Sequence, residues 1–126
     1  MNENGGGANR RGSKHAVLVM AYGTPETLDQ VEPYFTHIRG GRPPSPEAVA
    51  RLRKRYELVG GRTPLLEITL NTARALEMAL NSDSADDAAH RPVYVGMKHW
   101  HPYIGDVMRG MAADGIESVT ALTLAP

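Results

Sequence analysis

Runs and stripes of apolar residues divide this chain into elements, and the change of period between them marks where each begins. Residues 1–14 show no apolar periodicity and are rich in Gly, Asn and Arg, the composition of a flexible tail. Ala16-Val17-Leu18-Val19 then run without a polar break, as in a strand covered on both faces. Leu28, Val31, Phe35 and Ile38 recur every three or four residues and predict a helix from Pro25 to about Ile38. Thr24 is its expected N-cap and Pro25 its first residue. Gly40-Gly41-Arg42-Pro43-Pro44 breaks it with a shaped loop. Ser45-Pro46-Glu47 repeats the start signal, with Val49, Leu52, Tyr56 and Val59 as the next stripe and Arg51, Arg53, Lys54 and Arg55 opposite. Thr63 is the expected cap of a third helix, buried along Leu66, Leu70, Ala73, Leu76 and Leu80. A polar connection over 81–87 leads to a second strand, 92–97, ending in Lys98-His99-Trp100-His101. Pro102 opens a helix with Ile104, Val107, Met108 and Met111 on one face, Gly115 ends it, and Ile116 to Leu124 reads as a third strand.

Strand, helices, strand, helix, strand is the order of a parallel sheet with crossovers, hence an α/β fold with helices on both faces. Parallel strands end on one edge, and open sheets of this kind bind ligands there. Tyr22, after the first strand, and Lys98-His99, after the second, therefore belong to one crevice. Gly23 supplies a turn conformation closed to other residues. Each candidate also has a bland role: Tyr22 as a packing tyrosine, Lys98 as a solvated lysine, His99 as a hydrogen-bonded structural histidine. The basic run on the second helix has the usual composition of a solvated face; the alternative is a set of cations for an anionic ligand, arginine being suited to a bidentate grip on carboxylates.

Composition narrows the chemistry. Lys+Arg 14 balances Asp+Glu 14, so no general attraction draws nucleic acid or an anionic membrane. Cys 0 excludes disulfides, thiolate metal sites and an iron–sulfur cluster within these residues and fits a cytoplasmic protein. No apolar run reaches the ~20 residues of a membrane helix, and Arg10-Arg11 is not followed by the apolar region of a signal peptide. There is no G-x-G-x-x-G, no P-loop, no G-x-S-x-G and no H-E-x-x-H.

Leu18-Val19-Met20-Ala21-Tyr22-Gly23-Thr24-Pro25 and Tyr34-Phe35-Thr36-His37-Ile38-Arg39 resemble the ferrochelatase family. The resemblance continues through Gly41-Arg42-Pro43-Pro44, Arg55-Tyr56, Gly60-Gly61-Arg62-Thr63-Pro64-Leu65, Gly96-Met97-Lys98-His99 and Leu124-Ala125-Pro126. It covers nearly everything after the tail and is nearest to the Gram-positive and actinobacterial branch, which inserts ferrous iron into coproporphyrin III. It implies a Rossmann-like chelatase domain over 15–126, one wall of a porphyrin cleft completed by a second, similar domain, in a monomeric lyase-class enzyme of haem biosynthesis. By the same resemblance Tyr22 faces the metal and ligates product iron, a known role for tyrosinate. Arg39, Arg55, Tyr56 and Thr63 hold the porphyrin carboxylates, while Lys98 and His99 support the site from behind. The implied substrates are Fe²⁺ and coproporphyrin III (or protoporphyrin IX), and no cofactor is required in these residues. A catalytic histidine is expected just after Pro126 and a glutamate far downstream, so the 126 residues alone are expected to be inactive. Phe35 stands where a second tyrosine is common, Gly40 where some relatives carry a base, and Thr63 where serine is frequent, a change that keeps the hydroxyl. Two other readings fit less of the pattern: a short homodimeric cobalt or sirohydrochlorin chelatase, and a non-catalytic tetrapyrrole-binding module.

Overall fold

The architecture follows from how the apolar positions of two strands are shared between opposite faces. A computed structural model describes residues 14–83, 85–86 and 89–124; the tail expected over 1–14 lies outside them except for Lys14, as does Ala125-Pro126. The elements are β1 (His15–Ala21), a 3-10 turn (Leu28–Gln30), α1 (Val31–Ile38), α2 (Pro46–Leu58), α3 (Leu65–Asn81), β2 (Val93–Met97), α4 (Ile104–Ala113) and β3 (Ser118–Thr123). The strands form one parallel sheet in the order β2-β1-β3, with β1 in register from Val17↔Val93 to Ala21↔Met97 on one side and from His15↔Ser118 to Met20↔Thr123 on the other.

Successive residues of a strand point to opposite faces, and β1 uses both. Val19 and Ala21 pack with Val93, Val95, Met97 and, from α3, Ala73, backed by Leu66, Leu70 and Leu76. Ala16 and Leu18 pack on the other face with Tyr94 and, from α4, Met111, backed by Ile104 and Val107. The uninterrupted apolar runs are thus explained by helices on both sides. Gly96 lies where α4 crosses β2, and a Cβ there would stand 3.1 Å from the Ile104 Cα. Met97 is 1% exposed, and its replacement by alanine is expected to cost roughly 2–5 kcal/mol, as for other large-to-small core changes. Urea denaturation of the chain measures this.

Three expectations need correction. The first helix begins at Val31 rather than Pro25: residues 22–27 are irregular, and the Thr24 hydroxyl is spent on Thr63 instead of a helix end. Thr63 likewise does not cap α3, whose N-cap, Pro64, offers no side-chain hydrogen bond, whereas Ser45 caps α2 through Ala48 N–H as expected. Val59, Leu80 and Met108 are exposed because α2 buries no residue fully and the outer turns of α3 and α4 have no facing layer. Every residue of β3 is exposed, for it pairs with β1 while α3 and α4 cover only the other two strands.

Candidate functional site at the carboxyl edge of the sheet

The ends of β1 and β2 remain tied beyond their ladder. Lys98 N–H donates to the Ala21 carbonyl (3.0 Å) and His99 N–H to the Tyr22 carbonyl (2.8 Å). This carries Tyr22 and His99 past the sheet together, and their rings meet at 4.6 Å, tilted by 60°. Tyr22 is 44% exposed, so its phenol is presented and not packed away. The turn beneath requires glycine: Gly23 has φ +90°, and a Cβ there would fall 2.9 Å from the Trp100 backbone nitrogen. Burial lowers the His99 pKa below its ordinary value, reinforced by Lys98 and then His37. The imidazole is therefore neutral at pH 7, and protonating it opposes the native arrangement as pH falls below the ordinary histidine range. Lys98 itself is exposed.

Two residues not singled out from the sequence complete this corner. His37 Nδ1 lies 3.4 Å from His99 Nδ1, and the His37 ring stacks on Tyr103 at 5.0 Å and 27°. His101 turns away against Trp100 and Tyr103. His37 lies inside the motif that carries the resemblance but outside the apolar stripe Leu28, Val31, Phe35 and Ile38, and helical periodicity gives no sign of what it meets.

A second set of donors flanks Tyr22. The Thr63 and Thr24 hydroxyls are hydrogen-bonded to each other, joining the loop after β1 to the loop before α3. Each hydroxyl has one hydrogen, so the pair keeps one O–H to offer elsewhere. Thr24→Val is expected to destabilise the chain by ~1 kcal/mol, a typical net hydrogen bond, and thermal unfolding reads this directly. Tyr34 is 4% exposed and meets Tyr56 (6.5 Å, 88°) and Trp100 (6.1 Å, 86°) edge-on. Burial pushes the Tyr34 phenol strongly up, with Tyr56 and Tyr22 adding to it. Burial also raises Tyr56, which the hydrogen bond from Tyr34 partly offsets. Both remain neutral donors at pH 7. Trp100, buried in spite of its position in a loop, donates Nε1–H to Gln30 Oε1 (3.1 Å), which also accepts from Glu26 N–H (2.8 Å). That shared oxygen holds the irregular segment after Tyr22 against α1.

The remaining candidates lie further out. Arg39, at the end of α1, donates Nε–H to the Arg42 carbonyl (3.3 Å), and Arg42 returns the bond to Arg39 (3.2 Å). Arg55 is exposed in the last turn of α2. The structure thus joins Tyr22 with His99 directly, sets Thr63 and Tyr56 on the flanking loop and helix, and leaves Arg39, Arg55 and Lys98 as exposed cations.

Among the described residues, a larger and a smaller cavity are candidates for a ligand. The larger, about 890 Å³, runs along the outer edge of β2 between α3 and α4 and is lined by mixed acids, arginines and apolar residues. Its strand edge is already engaged, by Glu77 at Val93 N–H (2.6 Å) and by the Pro102 carbonyl at Met97 N–H (2.7 Å). The smaller, about 340 Å³, is walled by Tyr22, Ala21, Leu65, Ile68, Thr69 and Leu124. Only the smaller combines an apolar wall with the presented phenol at the strand ends, where a parallel sheet places chemistry. Among the described residues, no group of three or more His, Cys, Asp or Glu is arranged to hold a metal, and no helix is long and apolar enough to cross a membrane.

A family model described as ferrochelatase matches residues 14–126. The chain is 49% identical over 113 residues to a coproporphyrin III ferrochelatase of Oceanobacillus iheyensis. It is 48% identical over 114 residues to a ferrochelatase of Herpetosiphon aurantiacus and 48% identical over 113 residues to a coproporphyrin III ferrochelatase of Bacillus mycoides. Each match covers 90% of this chain and 36% of the relative, so the chain spans about a third of the length of the curated relatives it matches. With the motifs around Tyr22, Arg55-Tyr56, Thr63 and His99 falling inside the matched span, the chain belongs to the ferrochelatase family.

Proposed function

We propose that these residues form one wall of the porphyrin cleft of a ferrochelatase that inserts ferrous iron into coproporphyrin III in haem biosynthesis. The observation that carries this reading is the Tyr22 phenol, presented at the carboxyl edge of the sheet over an apolar pocket and held beside His99. A flat apolar macrocycle lies against the Leu65 and Ile68 side of that pocket, and its iron-binding centre faces Tyr22. Its peripheral carboxylates reach the Tyr56 and Thr63 hydroxyls and the exposed guanidinium groups of Arg39 and Arg55. Of these, arginine gives the strongest contact, because its planar donors match a carboxylate. Lys98 adds positive charge at the mouth. Fe²⁺ and the porphyrin are the substrates. Metal insertion proper, which must also remove the pyrrole protons, belongs to the full-length protein; the 126 residues bind porphyrin without turning it over at the full-length rate. The domain reading, a tail followed by a chelatase domain over 15–126 in a monomeric cytoplasmic enzyme, is part of the same proposal.

Coproporphyrin III titrated into the chain and followed by Trp100 fluorescence tests it. Arg39→Ala and Arg55→Ala are each expected to weaken binding about tenfold, since hydrogen bonds to charged groups are worth ~1.5–3 kcal/mol. Equal affinity in wild type and the double variant would remove the arginines from the site. Iron insertion by the 126 residues at the full-length rate would overturn their assignment as one wall only.

A further inference from the structure

The geometry points to a divalent-metal site formed by the Nδ1 atoms of His37 and His99 beside Tyr22. Those atoms stand 3.4 Å apart. Two nitrogen ligands bound at ~2.0–2.1 Å on a tetrahedral metal are separated by about 3.3–3.4 Å. The pair therefore already has the bite of two cis ligands and needs little more than a ring rotation to converge on an ion. Imidazole suits zinc and first-row metals including iron.

Both rings are held from outside the pair. Tyr103 stacks on His37, and Tyr22 lies against His99. The His99 backbone is pinned by its hydrogen bond to Tyr22. His37 sits at the end of α1 and His99 just after β2, so a helix end and a strand end tied by a backbone hydrogen bond position the two ligands. Without metal, a hydrogen bond between two Nδ1 atoms requires one ring to carry its proton there and the other to be bare. Metal binding forms two Nδ1–metal bonds in place of that hydrogen bond. The displaced proton passes through solvent to Nε2 of the same ring, so no net proton is released. Solvent fills the remaining coordination positions, since His37 is exposed. The nearby Lys98 charge opposes binding, but Lys98 is exposed and water screens it.

A two-histidine site with open positions binds an ion reversibly, as a stopping place before transfer rather than a final holder. Its service to the substrate iron rests on the chelatase reading; its metal affinity does not. Calorimetric titration of the 126-residue chain with Zn²⁺, and the ligand-field absorption of bound Co²⁺, test the site without porphyrin. One ion is expected to bind, and His37→Ala and His99→Ala are each expected to weaken it by more than about tenfold, the lower bound set by losing even an outer-shell contact. His101→Ala is expected to bind as wild type, and circular dichroism confirms that each variant is folded. No binding by wild type, or binding unchanged in the folded His37 and His99 variants, overturns the site. Metal binding lost in both variants, in a chain that fails to bind coproporphyrin III, upholds the site and contradicts the proposed function alone.

Discussion

Tyr22→Phe is expected to abolish the phenolate-to-iron charge-transfer absorption of ferric coproporphyrin III bound to the chain. The phenol is the exposed group of the β1 turn, and tyrosinate is a haem-iron ligand in its own right. Phenylalanine keeps the ring that packs on His99 and deletes only the oxygen. The change therefore separates ligation from shape: metal-free porphyrin should bind the variant nearly as well, while the iron complex changes spectrum entirely. An iron complex with the wild-type spectrum would show that another group faces the metal.

Gly23→Ala is expected to produce the largest loss of stability of any single methyl addition near the site. A side chain at φ +90° costs roughly 1–3 kcal/mol by itself. The added Cβ would also stand 2.9 Å from the Trp100 backbone nitrogen and 3.1 Å from the Met97 Cβ, neither of which can swing aside as a flexible side chain could. Relief must come from moving the β2 end away from the β1 end, which separates His99 from Tyr22. A lower urea midpoint and altered fluorescence of Trp100, the single tryptophan, are the expected readings. A stability within ~0.5 kcal/mol of wild type, the range of inert surface changes, would contradict the close packing described for this turn.

Strand identity and the edge that carries the candidate site were legible because both depend on local pattern and on topology. Continuous apolar runs gave β1 and β2, and parallel order alone brought Tyr22 and His99 to one edge, where their rings do touch. What escaped was tertiary. Thr24-Pro25 and Thr63-Pro64 both carry a sound helix-start signal, yet the two hydroxyls bond each other across 39 positions, and no local rule weighs that alternative. Trp100 looked like a loop residue after the second strand, but Tyr34 and Gln30 draw it into the interior. His37 could be placed on a helix face but not opposite His99. The exposure of β3 has a separate cause: the residues that bury β1 and β2 come from helices that stop short of it. The resemblance to the ferrochelatases supplied roles for Arg39, Arg55, Tyr56 and Thr63 that periodicity could not have assigned.

The central claim is that porphyrin lies at the carboxyl edge against Tyr22, and a porphyrin's ring current makes its position directly measurable. Metal-free coproporphyrin III added to isotope-labelled chain is predicted to shift the amide resonances of Tyr22, Gly23, Thr63, Leu65, Ile68 and His99 most strongly. Shifts centred instead on Glu77, Val95 and Asp114, in the larger cavity between α3 and α4, would contradict it.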